Sequence, residues 1–289
     1  MKRLLVVSLV LLFQLGLSQE IKEKSLLWEI SGNGLEQSSY LFGTMHIMCQ
    51  GDVVMTPELQ NAFDHSEELL MELDMDDPNM MMSMMQVALS KDGKTVTEKL
   101  GEELSAKVDT ILQRNASMNL SMLNQLNLQT LTMQLGVLAL DCPMDLGYDS
   151  MLAQEAKTAG KEINGLETVE EQIKILFSQS DEEALQAITY LVDNFDEARE
   201  EMNNMIDLYK GGEVQELYDT TKSTFEDPKY PQGDLEEFLD NRNENWIPLI
   251  ETQIKSKPTF IAVGAAHLAG ENGVINLLKK QGYQLKATQ

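Results

Sequence analysis

Apolar residues in this chain run together in some stretches and recur at helical spacing in others, and the two patterns outline its elements. Ser25-Leu26-Leu27-Trp28-Glu29-Ile30 and Ser39-Tyr40-Leu41-Phe42 are short apolar runs on either side of Ser31-Gly32-Asn33-Gly34. Asn-Gly supplies the positive φ of a tight turn, so this segment reads as a hairpin. Pro57, in the first helical position after Thr56 as cap, opens a helix to about residue 67 or 68. The strand Leu69-Leu70-Met71-Glu72-Leu73-Asp74 follows. Near the other end, residues 259–263 read as a strand, Gly270-Glu271-Asn272-Gly273 as a loop, 274–281 as a helix and 283–286 as a last strand. Strand, loop, helix, strand therefore occurs twice. Two βαβ-like units imply an α/β fold with a mainly parallel central sheet and right-handed crossovers.

Between the two units apolar residues fall three and four apart over 96–113, 118–139, 149–159, 169–178 and 181–209. This is a large helical insertion, interrupted by one expected strand at 161–167. Pro228, Pro231 and Gly233 mark a loop before a further helix over 235–254, which carries Arg242 and Trp246. No stretch has the composition of an interdomain linker, so residues 19–289 are expected to form a single domain.

The first eighteen residues read as an address. Met1-Lys2-Arg3 is basic, residues 4–15 are apolar, and Gly16-Leu17-Ser18 offers small residues for cleavage. The apolar stretch is short for a permanent membrane helix, and no later segment is long and apolar enough for one. Residues 1–18 are therefore expected to be a signal peptide. The protein would be secreted or periplasmic, with no stable membrane insertion after cleavage. Acidic residues outnumber basic ones by 47 to 22, for a formal charge of −25. That field disfavours nucleic acid and anionic membrane surfaces, both polyanions, as partners. Cys49 and Cys142 are the two cysteines. In an exported chain an even number reads as one disulfide, and the spacing signature of a thiolate metal site is absent.

The candidate chemistry centres on two of the three histidines. Gly43-Thr44-Met45-His46 follows Tyr40-Leu41-Phe42, and Gly264-Ala265-Ala266-His267 follows Phe260-Ile261-Ala262-Val263. A strand ending in glycine and then an imidazole places a ligand or base at the C-terminal edge of a sheet, where open α/β folds build their sites. Glu72, inside an apolar run, costs desolvation unless it is paired or bound to an ion. Asp74 lies one alternation further on the same expected face, and Glu167 ends another expected strand. Two imidazoles and a carboxylate suit a divalent manganese, cobalt, iron or zinc ion, which activates bound water without a serine or cysteine nucleophile. His46, Glu72 and His267 are the expected ligands, and Arg242 a candidate stabiliser of developing negative charge. The alternatives are a metal-free site, with a histidine as general base and Glu72 as its partner, and a non-catalytic module for a peptide, haem or metal.

His65 lies late in a helix and reads as structural. Met80-Met81-Met82-Ser83-Met84-Met85 reads as an adaptable apolar lid or groove wall near the site, or as a copper(I) site through its thioethers.

Seven segments, taken in order, resemble the TraB/GumN family, which includes the Tiki proteins: Leu27-Trp28-Glu29-Ile30, Tyr40 to His46, Leu70 to Asp74, Gly147 to Leu152, Gly165 to Thr168, Asn241 to Trp246 and Val263 to Gly270. The resemblance covers essentially the whole chain after residue 18. It implies an erythromycin-esterase/ChaN-like α/β fold and a metal-dependent, peptidase-like hydrolase acting on a peptide or small ester. It also implies that His46 and His267 are ligands or catalytic groups, that Glu72 is the acidic residue after the second strand, and that Asp149, Glu167 and Arg242 are recurrent polar positions of the site. The methionine cluster and the two cysteines lie outside the pattern.

Overall fold

A computed structural model describes residues 20–140, 142–229 and 233–288. The expected signal peptide, Asp141 and Pro231 lie outside the described residues. The expected hairpin forms β1 (Leu27–Gly32) and β2 (Ser39–Thr44), with Asn33 at φ 47° in the turn. After β3 (Ile47–Cys49) come α1 (Pro57–Asp64) and β4 (Glu68–Met71). The Thr56 hydroxyl caps α1 by accepting Leu59 N–H. The helical part begins with α2 (Met80–Ala88), α3 (Val96–Ala116) and α4 (Leu128–Val137). It is followed by β5 (Met144–Leu146), α5 (Tyr148–Ala159) and β6 (Glu162–Gly165). Then come α6 (Val169–Leu176), α7 (Asp181–Asp193), α8 (Phe195–Lys210), α9 (Val214–Glu226) and α10 (Asn241–Ser256). The chain closes with β7 (Thr259–Gly264), α11 (Val274–Lys280) and β8 (Tyr283–Thr288).

Six strands form one sheet in the order β6-β4-β7-β2-β1-β8, and β3 pairs with β5 in a separate antiparallel ribbon. The class is α/β, as expected, and the sheet is mixed, parallel in part. β6, β4, β7 and β2 run parallel, whereas β1 is antiparallel to both β2 and β8. The two expected units are also interleaved. β7 from the C-terminal unit lies between β2 and β4 of the N-terminal one, so the strands ending in the two Gly-x-x-His segments are neighbours.

Alternate residues of the central strands enter cores on opposite faces, as the pleat requires. Ile261 and Val263 join Trp28, Ile30, Leu41, Trp246, Ile250 and Leu278. Phe260 and Ala262 join Phe42, Phe63, Leu69, Met71, Leu152 and Tyr209 on the other face. A third core, with Val108, Leu112, Leu131, Leu135 and Ile188, holds α3, α4 and α7 together.

Several boundaries differ from the sequence reading. The stretch 181–209 is two helices, because Asn194 leaves helical geometry at φ −122° and its amide donates to Tyr190 O. The stretch 118–139 contains a 3₁₀ turn at Leu120–Leu123 before α4. The strand expected over 69–74 ends at Met71, which leaves Glu72 just past its end and Asp74 in the following turn. Neither β3 nor β5 was expected. Among the described residues no helix is long and apolar enough to cross a membrane.

Candidate active site

The parallel strands place the site residues side by side at one edge. Register aligns Thr44 of β2 with Gly264 of β7, and Met71 of β4 with both Ala262 of β7 and Gly165 of β6. Beyond the strand ends, Glu167 N–H donates to Glu72 O at 3.0 Å, so the pairing continues into the loops. Across the sheet edge the order is Glu167, Glu72, His267, His46, each carried by a different strand. Four residues that local pattern ties to separate elements thus share one rim.

The convergence is tightest around Gly264. A Cβ there would lie 3.2 Å from Glu72 Oε1, 3.5 Å from His267 Cδ2 and 3.7 Å from His46 Nε2. Both imidazoles are held from behind. His46 Nδ1 lies 2.8 Å from Asp149 Oδ2 in the first turn of α5, and Thr44 Oγ1 donates to the other Asp149 oxygen. His267 Nδ1 lies 2.7 Å from Asn243 Oδ1, and its ring packs 4.5 Å from that of Trp246. The His46 Nε2 is therefore left for the cleft, whereas the His267 Nε2 faces Arg242. His267 is buried, whereas the His46 side chain is 62% exposed and open to an incoming molecule.

Arg242 comes from the first turn of α10. There the preceding turn, Glu236–Asp240, is wound one residue wider than an α-helix, with Asn241 N–H donating to Glu236 O. Its Nη2 donates to Glu72 Oε2 and to Glu167 Oε1, 2.6 Å each, and its Nε donates to Glu167 Oε2 at 3.0 Å. Nη1 faces His267 Nε2 at 3.1 Å and donates to Phe238 O. Gln172 bridges both carboxylates, and Glu72 Oε1 accepts Gly264 N–H at 2.7 Å. The planar fork of a guanidinium suits this double carboxylate contact in a way an ammonium does not.

These contacts set the charges. Burial favours neutral Glu72, but its electrostatic coupling to His267, then to His46 and Arg242, with the Gly264 N–H, outweighs burial and brings its pKa to about 2. Desolvation favours neutral His267, lowering it to about 3, so it faces Arg242 as an acceptor. Desolvation acts on His46 too, but the hydrogen bond and charge of Asp149, aided by Glu72, outweigh it and raise His46 to about 9. The cleft at neutral pH therefore holds an imidazolium, a carboxylate and a guanidinium around one small gap. Glu167 shifts the other way, upward, chiefly by burial.

Two imidazoles and a carboxylate are a donor set that a divalent ion accepts. As these side chains stand, however, several of the donor atoms already have partners. His267 Nε2 faces Arg242, Glu72 Oε2 accepts from Arg242 and Gln172, and Glu72 Oε1 accepts from Gly264. Ligation needs the donors' lone pairs directed at an ion about 2.0–2.2 Å away. Among the described residues no group of three or more His, Cys, Asp or Glu is placed to hold a metal. In this arrangement Arg242 lies against Glu72, Glu167 and His267 and supplies the positive charge that pairs with the two carboxylates.

The structure brings His46, Glu72, His267, Arg242, Glu167 and Asp149 together. Asp74 stays outside, in the turn after β4, where its carboxylate accepts Asp76 N–H. His65 caps the end of α1, its ring bonded to Asn61 O. Cys49 and Cys142 form the expected disulfide, between β3 and the residues just before β5. The methionines form α2, which has no buried residue and packs against α6; Met81, Met82 and Met85 are exposed. Asn243, Thr44 and Gln172 were not singled out from sequence. For Asn243 a signal existed: Arg242, Asn243, Trp246 and Ile250 share the buried face of α10, and polar groups there need partners.

A model of the TraB/PrgY/gumN family matches residues 26–287. Among curated proteins, the chain is similar to "Metalloprotease TIKI2" of Danio rerio. The two are 22% identical over 352 residues, which take in 98% of this chain and 67% of that relative. No solved structure matches the chain significantly.

Proposed function

The chain belongs to the TraB/PrgY/gumN family, and on that premise we propose that it is a hydrolase of peptide or ester bonds, working between His46 and Glu72. One observation carries the reading: His46 Nε2 and Glu72 Oε1 both lie within 3.7 Å of the point above Gly264. A proton donor and an anionic acceptor thus converge over Gly264, the one residue type with no side chain to separate them.

Water between them gives a proton to Glu72 Oε1 as its oxygen attacks the carbonyl carbon. The His46 imidazolium faces the developing oxyanion and protonates the leaving nitrogen or oxygen as the old bond breaks. The proton on Glu72 then returns to His46 through solvent. Asp149 holds His46 charged, while Arg242 and the Gly264 N–H hold Glu72 in place. His267, tied to Asn243 and Arg242, fixes the guanidinium.

The test is turnover of a peptide and ester library followed by mass spectrometry. Wild type should cleave a subset, and His46→Ala and Glu72→Gln should each lose about 100-fold or more, the scale of one general acid or base. Activity should survive exhaustive chelation. Activity lost on chelation and restored by manganese, cobalt or zinc would replace this reading with the metal-dependent one. Binding without any turnover would leave a non-catalytic module.

Export is part of the same proposal. The disulfide supports it, since such bonds persist in oxidising compartments. N-terminal sequencing of protein from the periplasm or medium should begin after Ser18, and cytoplasmic protein starting at Met1 would overturn it. The likeness to erythromycin-esterase and ChaN-like folds is proposed on the same grounds, with the parallel strands β6-β4-β7-β2 in its support.

A further inference from the structure

A groove of about 900 Å³ opens beside the site and shares Arg242 and Glu167 with it. Part of its accessible lining is apolar, made by Ile175 on α6 and by Pro248 and Leu249 on α10. Leu249 is 47% exposed, next to exposed Pro248, whereas Trp246, Ile247, Ile250 and Ile254 of the same helix are buried. The lining also carries Asp74, Asp77 and Glu170, with Lys174 and the carboxylate-paired Arg242 as its basic residues. Asp74 and Asp77 accept hydrogen bonds from Asp76 and Asn79 of their own turn, and among the described residues no lysine or arginine forms an ion pair with either. Further along the same turn the chain enters α2.

Two properties of the groove restrict its occupant. The apolar lining rewards burial of aliphatic or aromatic groups, so a small, fully polar cation gains little there. The unneutralised carboxylates favour positive charge, and a chain with a formal charge of −25 adds a field that steers cations towards it. Length matters too. A volume near 900 Å³ reaching from Leu249 to the turn after β4 suits a peptide segment of a few residues better than a single amino acid.

We propose that this groove binds a peptide segment that combines basic and apolar side chains. The apolar groups lie against Ile175, Pro248 and Leu249, and the basic ones are read by Asp74, Asp77 and Glu170. The inference rests on the hydrolase reading in that it names the substrate class of the same site, and the segment is the part of the substrate flanking the bond cut between His46 and Glu72.

Binding is measured apart from turnover, with the full disulfide-bonded chain carrying His46→Ala. Three labelled peptides of equal length are compared by fluorescence anisotropy: lysine with leucine, glutamate with leucine, and lysine with serine. The lysine–leucine peptide should bind at least about tenfold more tightly than either other peptide, a difference of about 1.4 kcal/mol. Its affinity should fall as salt rises. Asp77→Asn with Glu170→Gln should reduce its affinity about three- to tenfold and flatten the salt dependence, and Leu249→Ser should weaken it by a similar factor without flattening. All these positions are at the surface, so their folding can be checked by unchanged circular dichroism. Equal affinity for the three peptides, or no response to either set of substitutions, would overturn the proposal. Selective binding without turnover in the wild type would instead remove the hydrolase reading and leave the groove. Equal cleavage of acidic and basic peptides would do the reverse.

Discussion

Arg242 Nη2 lies 2.6 Å from Glu72 Oε2, with 6% and 7% of the two side chains exposed. Neither charge was removed from water without compensation. The guanidinium also takes Glu167, so one cation serves two carboxylates near the centre of the cleft. Taking away one member of a buried ion pair costs more than the pair is worth, because the remaining charge stays unpaired.

Arg242→Ala should therefore destabilise the protein by about 3–5 kcal/mol in urea unfolding. Arg242→Lys should recover part of that loss, since an ammonium cannot make the two parallel contacts. Arg242→Met combined with Glu72→Gln and Glu167→Gln should return most of the stability while activity stays lost, because it removes the unpaired charges together. Equal instability in the single and triple variants would mean that Arg242 acts by packing against Trp246, 4.9 Å from its ring, rather than by charge.

A second expected outcome concerns pH. His46 is raised from 6.5 to about 9 by Asp149 and Glu72 against the pull of desolvation. A raised folded-state value means that its contribution to stability is complete below the unfolded value of 6.5 and is lost as pH rises through about 9. Turnover should fall over the same upper window, as the acid loses its proton. Proton NMR titration of the His46 ring reads the value directly. In Asp149→Asn it should drop towards 6.5 and carry the alkaline limb of the pH–rate profile with it. A titration unmoved by Asp149→Asn would separate His46 from the role given to it here.

What could be read from sequence was local, and what could not was contact between distant segments. His46 and His267 stand out because strand, glycine and imidazole lie within a few residues of one another. Glu72 stands out because a carboxylate interrupts an apolar run. The insertion of β7 between β2 and β4 is different, since it pairs Tyr40 with Phe260 and Leu70 with Ile261, far apart in the chain. Periodicity carries no information on strand order, so the place of β1 between β2 and β8, which makes that edge antiparallel, was not foreseen. The break at Asn194 was hidden because apolar spacing continues through it. Arg242 was a candidate stabiliser of negative charge, but Asp240-Asn241-Arg242-Asn243-Glu244 is polar throughout and gave no sign that it is buried. Its burial comes from two carboxylates on other strands.

The disulfide offers a third test. Cys49 and Cys142 are 93 positions apart, and the ribbon they tie carries His46 and Gly147, whose N–H donates to His46 O at 2.9 Å. Closing so long a loop is worth up to about 4–5 kcal/mol through the unfolded state, and removal of native bridges typically costs about 2–5. Cys49→Ser with Cys142→Ser should lower stability within that range. The His46 titration should broaden or shift, since the backbone between His46 and Asp149 loses its tie. A stability loss with an unchanged His46 titration would confine the bridge to the unfolded state.

The glycines of the two matching motifs have different jobs, and alanine at each should fail differently. At Gly43 an added Cβ would meet Leu268 Cδ1 at 2.8 Å and the Ala265 Cα and Cβ at 3.1 Å, all in the packed edge of the sheet. Gly43→Ala should therefore cost about 1–3 kcal/mol by overpacking. At Gly264 the Cβ would meet Glu72 Oε1 at 3.2 Å, with both imidazoles just beyond it, so it would occupy the gap assigned to water. Backbone φ there is −51°, open to any L-residue, and Gly264→Ala should cost less than about 1 kcal/mol. Its turnover should nonetheless drop by about 100-fold or more, the loss expected when one general acid–base step is blocked. Chemical denaturation and steady-state kinetics on the two variants decide the matter. Near-normal turnover by a folded Gly264→Ala protein would place the reacting water elsewhere in the cleft.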